Sequence, residues 1–143
     1  MTATRLTALA AGLAMAGLAT AAQAGSDLDK ALEAGAERLT SDQIAERFIG
    51  NTAVFVADKT GDRYLVFYGE NNELAGGKAD GDTSNVGFQA VNDRDQMCLG
   101  WEGPDLPRLR CLDVLLIDGV VHKFTAVGSL SGRIVEFAEG NTT

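Results

Sequence analysis

The sequence is poor in the residue types on which most metal and redox sites depend. Its 143 residues include two cysteines, one histidine and one tryptophan. A zinc site needs three or four protein ligands, and two thiols with one distant histidine do not supply them. No Cys-x-x-Cys pair is present, so thiol–disulfide exchange lacks its usual motif. The composition therefore predicts no metal and no cofactor.

Motifs for hydrolysis and for calcium binding are also incomplete. The segment Gly128-Ser129-Leu130-Ser131-Gly132 has leucine where a nucleophile elbow needs serine. The loop that starts at Asp80 has asparagine and valine where a calcium loop of the EF-hand type needs glycine and glutamate. These gaps favour a protein that is not an enzyme.

Basic residues are scarce, with 12 Lys and Arg against 20 Asp and Glu and a net charge of −8. Nucleic acids and anionic membrane surfaces would repel such a chain. The sequence predicts that neither is a partner.

The first 24 residues carry the pattern of an export signal. Met1–Arg5 holds one positive charge, an uncharged Ala/Leu/Gly-rich run follows, and Ala22-Gln23-Ala24 has small residues where signal peptidase cleaves. The alternative is an uncleaved membrane anchor. Cleavage after Ala24 removes one arginine and takes the net charge to −9. We expect a signal peptide over 1–24, a periplasmic or secreted protein, and no stable membrane insertion after cleavage.

Residues 25–50 predict a helical lead-in of one broken helix or two short ones. Ser26 is a candidate N-cap, and Thr40 with Gln43 forms a capping-box pattern. Apolar residues from Leu28 to Leu39 fall on one helical stripe, and Gly50 can end the second helix.

Residues 51–143 predict a mainly β domain. Eight short β-branched and aromatic runs recur every eight to twelve residues, separated by Gly, Asn and Asp turns, and they lie at 52–57, 63–68, 73–79, 86–91, 96–101, 111–117, 120–125 and 133–137. This spacing is typical of a small antiparallel meander that closes into a barrel, lipocalin-like in outline. The helices would plug or flank one end.

The clearest local signal is Asp118-Gly119, which favours a two-residue hairpin turn with positive φ at both positions. This turn sets Ile117 opposite Val120, Leu115 opposite His122 and Asp113 opposite Phe124.

Cys98 and Cys111 lie thirteen positions apart, one in each of two neighbouring runs. Antiparallel pairing of these runs would bring the sulfurs together, so we predict a disulfide. The alternatives are free or redox-active thiols and part of a metal site.

Short motifs along most of the chain match a known family: Leu39–Ile44, Gly50-Asn51-Thr52, Tyr68 before Leu74 and Gly76, the two cysteine strands, Asp118-Gly119 and Gly140-Asn141. In these features the chain resembles a family of small exported alphaproteobacterial proteins catalogued as a domain of unknown function. The loop between the cysteines is longer here, and Gly87-Phe88 stands for the usual Gly-Trp. The resemblance implies an architecture and a compartment, and it implies no activity.

Three groups of side chains are candidates for function. Trp101, Arg108 and Arg110 belong to the cysteine loop and could dock an anionic or protein partner. Asp113 lies diagonal to His122 in the predicted register, which is part of a hydrolytic arrangement. Aromatic residues could line a ligand cavity in the barrel, namely Trp101, Phe55, Tyr64, Phe67 and Phe88.

The sequence thus predicts an exported, non-catalytic β-domain that binds a small ligand or an envelope protein. One alternative is a weak hydrolase or isomerase that uses Asp113 and His122. The other is a module like a protease inhibitor that presents the Arg108–Arg110 loop.

Overall fold

The computed structural model describes residues 25–104 and 109–143. The predicted signal peptide, 1–24, and Arg108 lie outside the described residues.

Two short helices open the described chain, and each begins at a capping box. Helix α1 spans Asp27–Glu33 with Ser26 as its N-cap, and helix α2 spans Ser41–Phe48 with Thr40 as its N-cap. In each box the cap side chain accepts a hydrogen bond from a backbone N–H three residues on, and that residue's side chain accepts one in return. The predicted caps are confirmed.

The predicted helical stripe from Leu28 to Leu39 is wrong in its second half. Gly35 adopts a left-handed conformation, with φ +94°, and the helix stops at Glu33. Glu37–Arg38 then forms a short strand, β1, and Leu39 is fully buried next to it.

Within the described residues, an eight-stranded antiparallel barrel follows. Its strands are β2 (Asn51–Ala57), β3 (Arg63–Tyr68), β4 (Glu73–Lys78), β5 (Asn85–Val91), β6 (Gln96–Trp101), β7 (Arg110–Ile117), β8 (Val120–Phe124) and β9 (Leu130–Glu139). Each strand pairs with the next along the chain, and β9 pairs with β2 to close the sheet. The predicted meander and its closure are confirmed. Strand β9 starts three residues earlier than predicted, because Gly132 pairs within the sheet instead of ending a turn.

The predicted hairpin register is confirmed. Asp118 and Gly119 both have positive φ, 50° and 78°, and Ile117 lies opposite Val120. Since this register fixes the faces, Val114 and Val121 point into the barrel with the core. Leu115 and Phe124 are also buried, on the outer face.

Helix α2 closes one end of the barrel. Its Ile44 and Phe48 are fully buried and belong to the same core cluster as inward residues of the strands. Helix α1 instead lies on the outside of the β8–β9 connection, where the N–H of Leu28 donates to the carbonyl of Gly128. No residue of α1 is buried, so α2 alone plugs the barrel.

The two cysteines are direct partners across β6 and β7 and form a disulfide, as predicted. Their Cα atoms are 3.9 Å apart. The bond ties β6 to β7.

Replacing both cysteines with alanine is expected to lower the free energy of unfolding by about 3 kcal/mol, because the closed loop regains freedom in the unfolded chain. Urea denaturation followed by circular dichroism would compare oxidised wild type, reduced wild type and the C98A/C111A variant. The reduced wild type and the C98A/C111A variant should have the same free energy of unfolding. A reduced wild type as stable as the oxidised one would contradict the stabilising role.

Candidate functional site

A lysine points into the barrel. Lys123 lies on β8 opposite Val114 of β7 and Gly132 of β9, and its alternation with Val121 places it on the inner face. Only 3% of its surface is exposed. Among the described residues it is the one charged side chain that is buried. Charged groups are rarely buried in this way without an opposite charge, so this position is a candidate for function.

The amine has one hydrogen-bond partner. Nζ of Lys123 donates to the hydroxyl oxygen of Tyr68 at 2.6 Å. Tyr68 is the last residue of β3 and is itself fully buried. Both salt bridges formed by residues 25–104 and 109–143 lie elsewhere, so no carboxylate neutralises the amine within this part of the chain.

Three aromatic rings surround the amine. Nζ lies 5.3 Å from the ring centroids of Phe48 and Phe55 and 5.1 Å from that of Tyr68. The glycine opposite Lys123 makes room for one of them, since a Cβ at Gly132 would approach Cζ of Phe55 to 2.6 Å. The ring of Phe48 comes from α2, so helix and sheet together enclose the amine.

Burial controls the protonation of this pair. The loss of water around Lys123 lowers the pKa of its amine from 10.5 to about 7, and burial raises the pKa of the Tyr68 hydroxyl. The faces of the three aromatic rings attract an ammonium ion, which opposes the lowering of the lysine pKa. They carry no formal negative charge, however. At neutral pH a large share of Lys123 is therefore the uncharged amine.

A second polar group faces the interior on β5. Nε2 of Gln89 donates to the carbonyl of Gly69 at 2.9 Å, whereas its Oε1 is the one buried side-chain polar atom that has no partner among the described residues. An unpaired buried acceptor is costly, which makes it the second unusual polar feature of the barrel.

A depression of about 410 Å³ opens in the barrel wall near the plug helix. It forms because β8 is shorter than β9: their last pair is Val121 with Ile134, while β9 continues against β2 as far as Glu139. The lining residues are Arg47, Gly119, Val120, Val121, Arg133, Ile134, Val135, Glu136 and Phe137. Two arginines and one glutamate thus give this surface a local positive balance in an acidic protein.

Two packed rings, those of Phe137 and Phe48, lie between the depression and the buried amine. Phe137 lines the depression and packs edge-on against Phe48, with ring centroids 5.1 Å apart. Phe48 in turn lies next to Nζ of Lys123. The depression, the ring of Phe48 and the amine are therefore linked by successive packing contacts.

Asp113 and His122, the residues of the hydrolase alternative, have other hydrogen-bond partners. The Arg38 guanidinium donates to the Asp113 carboxylate, and Nδ1 of His122 lies 2.9 Å from the carbonyl oxygen of Val120. No hydrogen bond joins Asp113 to His122 in the described chain. The geometry gives the hydrolase alternative no support.

The predicted docking residues flank the disulfide. Trp101 ends β6 with 36% of its surface exposed, and exposed Arg110 begins β7. Of the aromatic residues expected to line a cavity, Phe55 and Tyr64 pack against the core. Phe88 lies on the outer face with 48% exposed, because its neighbours Gly87 and Gln89 are the inward residues of β5.

The residues around the amine were missed by sequence reasoning, although the sequence holds a signal for one of them. The Asp118-Gly119 register already sets Lys123 opposite Val114 and therefore on the same face of the hairpin as Val121. Nothing in the sequence indicates that Tyr68 or Phe48 would meet it, since these contacts join distant segments.

No family model, no curated protein and no solved structure matches this chain. The resemblance to the alphaproteobacterial family stays a prediction. In the described ranges no helix has the length and apolar character to cross a membrane, and no group of three or more His, Cys, Asp or Glu is placed to hold a metal ion.

Replacing Lys123 with methionine is expected to remove a pH dependence of stability. Between about pH 7 and 10.5 the unfolded lysine holds a proton that the folded one lacks, so the free energy of unfolding of the wild type rises with pH. This contribution is about 1.4 kcal/mol per pH unit, and below pH 7 it is flat because both states are protonated. Tyr68 acts in the opposite direction above its ordinary pKa of 10.

Urea denaturation at several pH values between about pH 7 and 9.5 would give the slope of the free energy of unfolding against pH. It would be measured for the wild type, for the K123M variant and for K78M, a control at an exposed lysine. The K123M slope should be the lower one, and that of K78M should match the wild type. Equal slopes in K123M and wild type would mean that Lys123 keeps its ordinary pKa.

Proposed function

We propose that this protein is an exported, non-catalytic barrel that binds a small molecule with an apolar body and an anionic head group. The depression beside α2 is the binding site. The observation that carries the proposal is an apolar lining flanked by two arginines in a protein whose net charge is −8.

The size and lining of the depression suit such a ligand. Its volume of about 410 Å³ falls in the range of small-molecule sites. Five apolar side chains line it, namely Val120, Val121, Ile134, Val135 and Phe137. Val120 and Val135 are exposed large hydrophobic residues, so a ligand that covered them would remove apolar surface from water.

The charges select the head group. Guanidinium groups bind carboxylates and phosphates through paired hydrogen bonds, and Arg47 and Arg133 both line the depression. The net charge of −8 disfavours anion binding over the surface as a whole, so a local pair of arginines is what would attract an anion. Glu136, on the same lining, would disfavour a dianion more than a monoanion.

The compartment is supported by two features. A disulfide persists in oxidising environments such as the periplasm and the extracellular space. The leader-like pattern of residues 1–24 predicts export to the same compartments.

Docking of an envelope protein is a second candidate function. It is favoured by the exposed apolar residues Trp101 and Leu109 next to Arg110 at the base of the disulfide loop. Aromatic residues and arginine are enriched where proteins bind one another.

Binding of decanoate is expected to depend on the two arginines. Replacing Arg47 and Arg133 together with glutamine should weaken decanoate binding by about tenfold or more, because a charge-assisted hydrogen bond contributes about 1.5–3 kcal/mol. Binding of decan-1-ol, which has the same chain and no charge, should change little. Isothermal titration calorimetry measures both.

The matched control is Arg94→Gln, because this arginine lies in the β5–β6 turn and does not line the depression. It should leave both affinities unchanged. No decanoate binding to the wild type, or equal loss in the control, would contradict the proposed site.

A further inference from the structure

We propose that Lys123 is a covalent attachment site for ligands that carry an aldehyde or ketone, which it holds as an imine inside the barrel. This inference rests on the proposed function for its entry route, since the ligand would enter through the depression. It adds the chemical class of the ligand and the residue that binds it.

The surroundings of the amine suit this role. A lysine is activated as a nucleophile when it is desolvated among apolar groups, and Nζ of Lys123 lies among the rings of Phe48, Phe55 and Tyr68. Its pKa, lowered to about 7 by burial, supports a neutral amine at physiological pH. No opposite charge within the described chain holds the amine in its protonated form.

Phe48 is the barrier between ligand and amine. It packs against the depression residue Phe137 on one side and lies next to the amine on the other, so a ligand in the depression reaches Nζ only when the Phe48 ring moves aside together with Phe137. Phe48 is the last residue of α2, followed by Ile49 in an extended conformation and Gly50 at φ +84°.

The reaction needs only groups that are present. The neutral amine attacks the carbonyl carbon, a C–N bond forms, and the carbonyl oxygen becomes a hydroxyl as nitrogen gives up a proton. The hydroxyl then leaves as water while C=N forms and nitrogen loses its second proton. The Tyr68 hydroxyl, 2.6 Å from Nζ, can give a proton to the leaving oxygen and regain one from nitrogen. Nothing is oxidised or reduced.

The chain offers its own selectivity control, because it has four lysines. Lys30, Lys59 and Lys78 are exposed. The carboxylate of Asp62, 3.2 Å from Nζ of Lys78, raises the pKa of that amine and keeps it protonated. Surface lysines should therefore react more slowly than Lys123 once the ligand is bound.

The test treats the full oxidised protein with decanal and sodium cyanoborohydride at pH 7, which reduces an imine to a stable amine. Intact mass and peptide mapping then locate the adduct. We expect labelling of Lys123 to be about tenfold or more faster than that of any other lysine. The adduct should be lost in K123M and kept in K78M, and Phe48→Ala should speed it. Peptide mapping of the wild type decides the question even where a variant fails to fold.

The outcomes separate this inference from the proposed function. If decanoate binds but decanal leaves Lys123 unlabelled, or labels all four lysines at equal rates, the imine site is overturned and the binding site stands. If decanoate does not bind and no adduct forms on Lys123, both are overturned.

Discussion

Pairing of β9 with β2 is the constraint on which the rest of the structure depends. These strands come from opposite ends of the domain and pair from Asn51 with Glu139 to Ala57 with Gly132. The pairing removes the free edges of the sheet and encloses an interior. A polar side chain that points inward then loses its contact with water, and it depends on the partners that the barrel provides. For Lys123 within the described chain, the hydrogen-bonding partner is a single tyrosine hydroxyl.

Burial of Lys123 inside the barrel lowers the stability of the fold. A buried amine without a counter-charge destabilises the folded state when it is protonated, and an apolar residue at 123 would avoid the cost. Residues that reduce stability in this way concentrate at functional positions, because there the destabilised group has a task. The ring of Phe48 next to the amine and the depression beyond it provide the setting for such a task.

The sequence predicts those parts of the fold that local signals determine. Turn chemistry at Asp118-Gly119 determines a hairpin and its register, and the cysteines in facing strands determine a disulfide. The runs of β-branched and aromatic residues locate all eight barrel strands. The predicted length of α1 is wrong because Gly35 fits a helical stripe by spacing, while its left-handed conformation stops the helix.

The residues that surround the Lys123 amine could not be predicted from the sequence as fully as the strands and turns. They and Lys123 come from α2, β2, β3 and β8, and their meeting depends on closure of the barrel. The depression results from the difference in length between β8 and β9, and the sequence pattern gave β9 too few residues. The hairpin register sets Lys123 opposite Val114, but both faces of this hairpin are largely apolar, so the register alone does not decide which face points inward.

The most direct test of the account is the pKa of Lys123 itself. Chemical shifts of Cε and its protons in protein with ¹³C-labelled lysine, followed from about pH 5 to pH 11, would report the titration of each of the four lysines. We expect one lysine to titrate near pH 7 and its signal to be missing in K123M. Titration of all four lysines near their ordinary pKa of about 10.4 would contradict it.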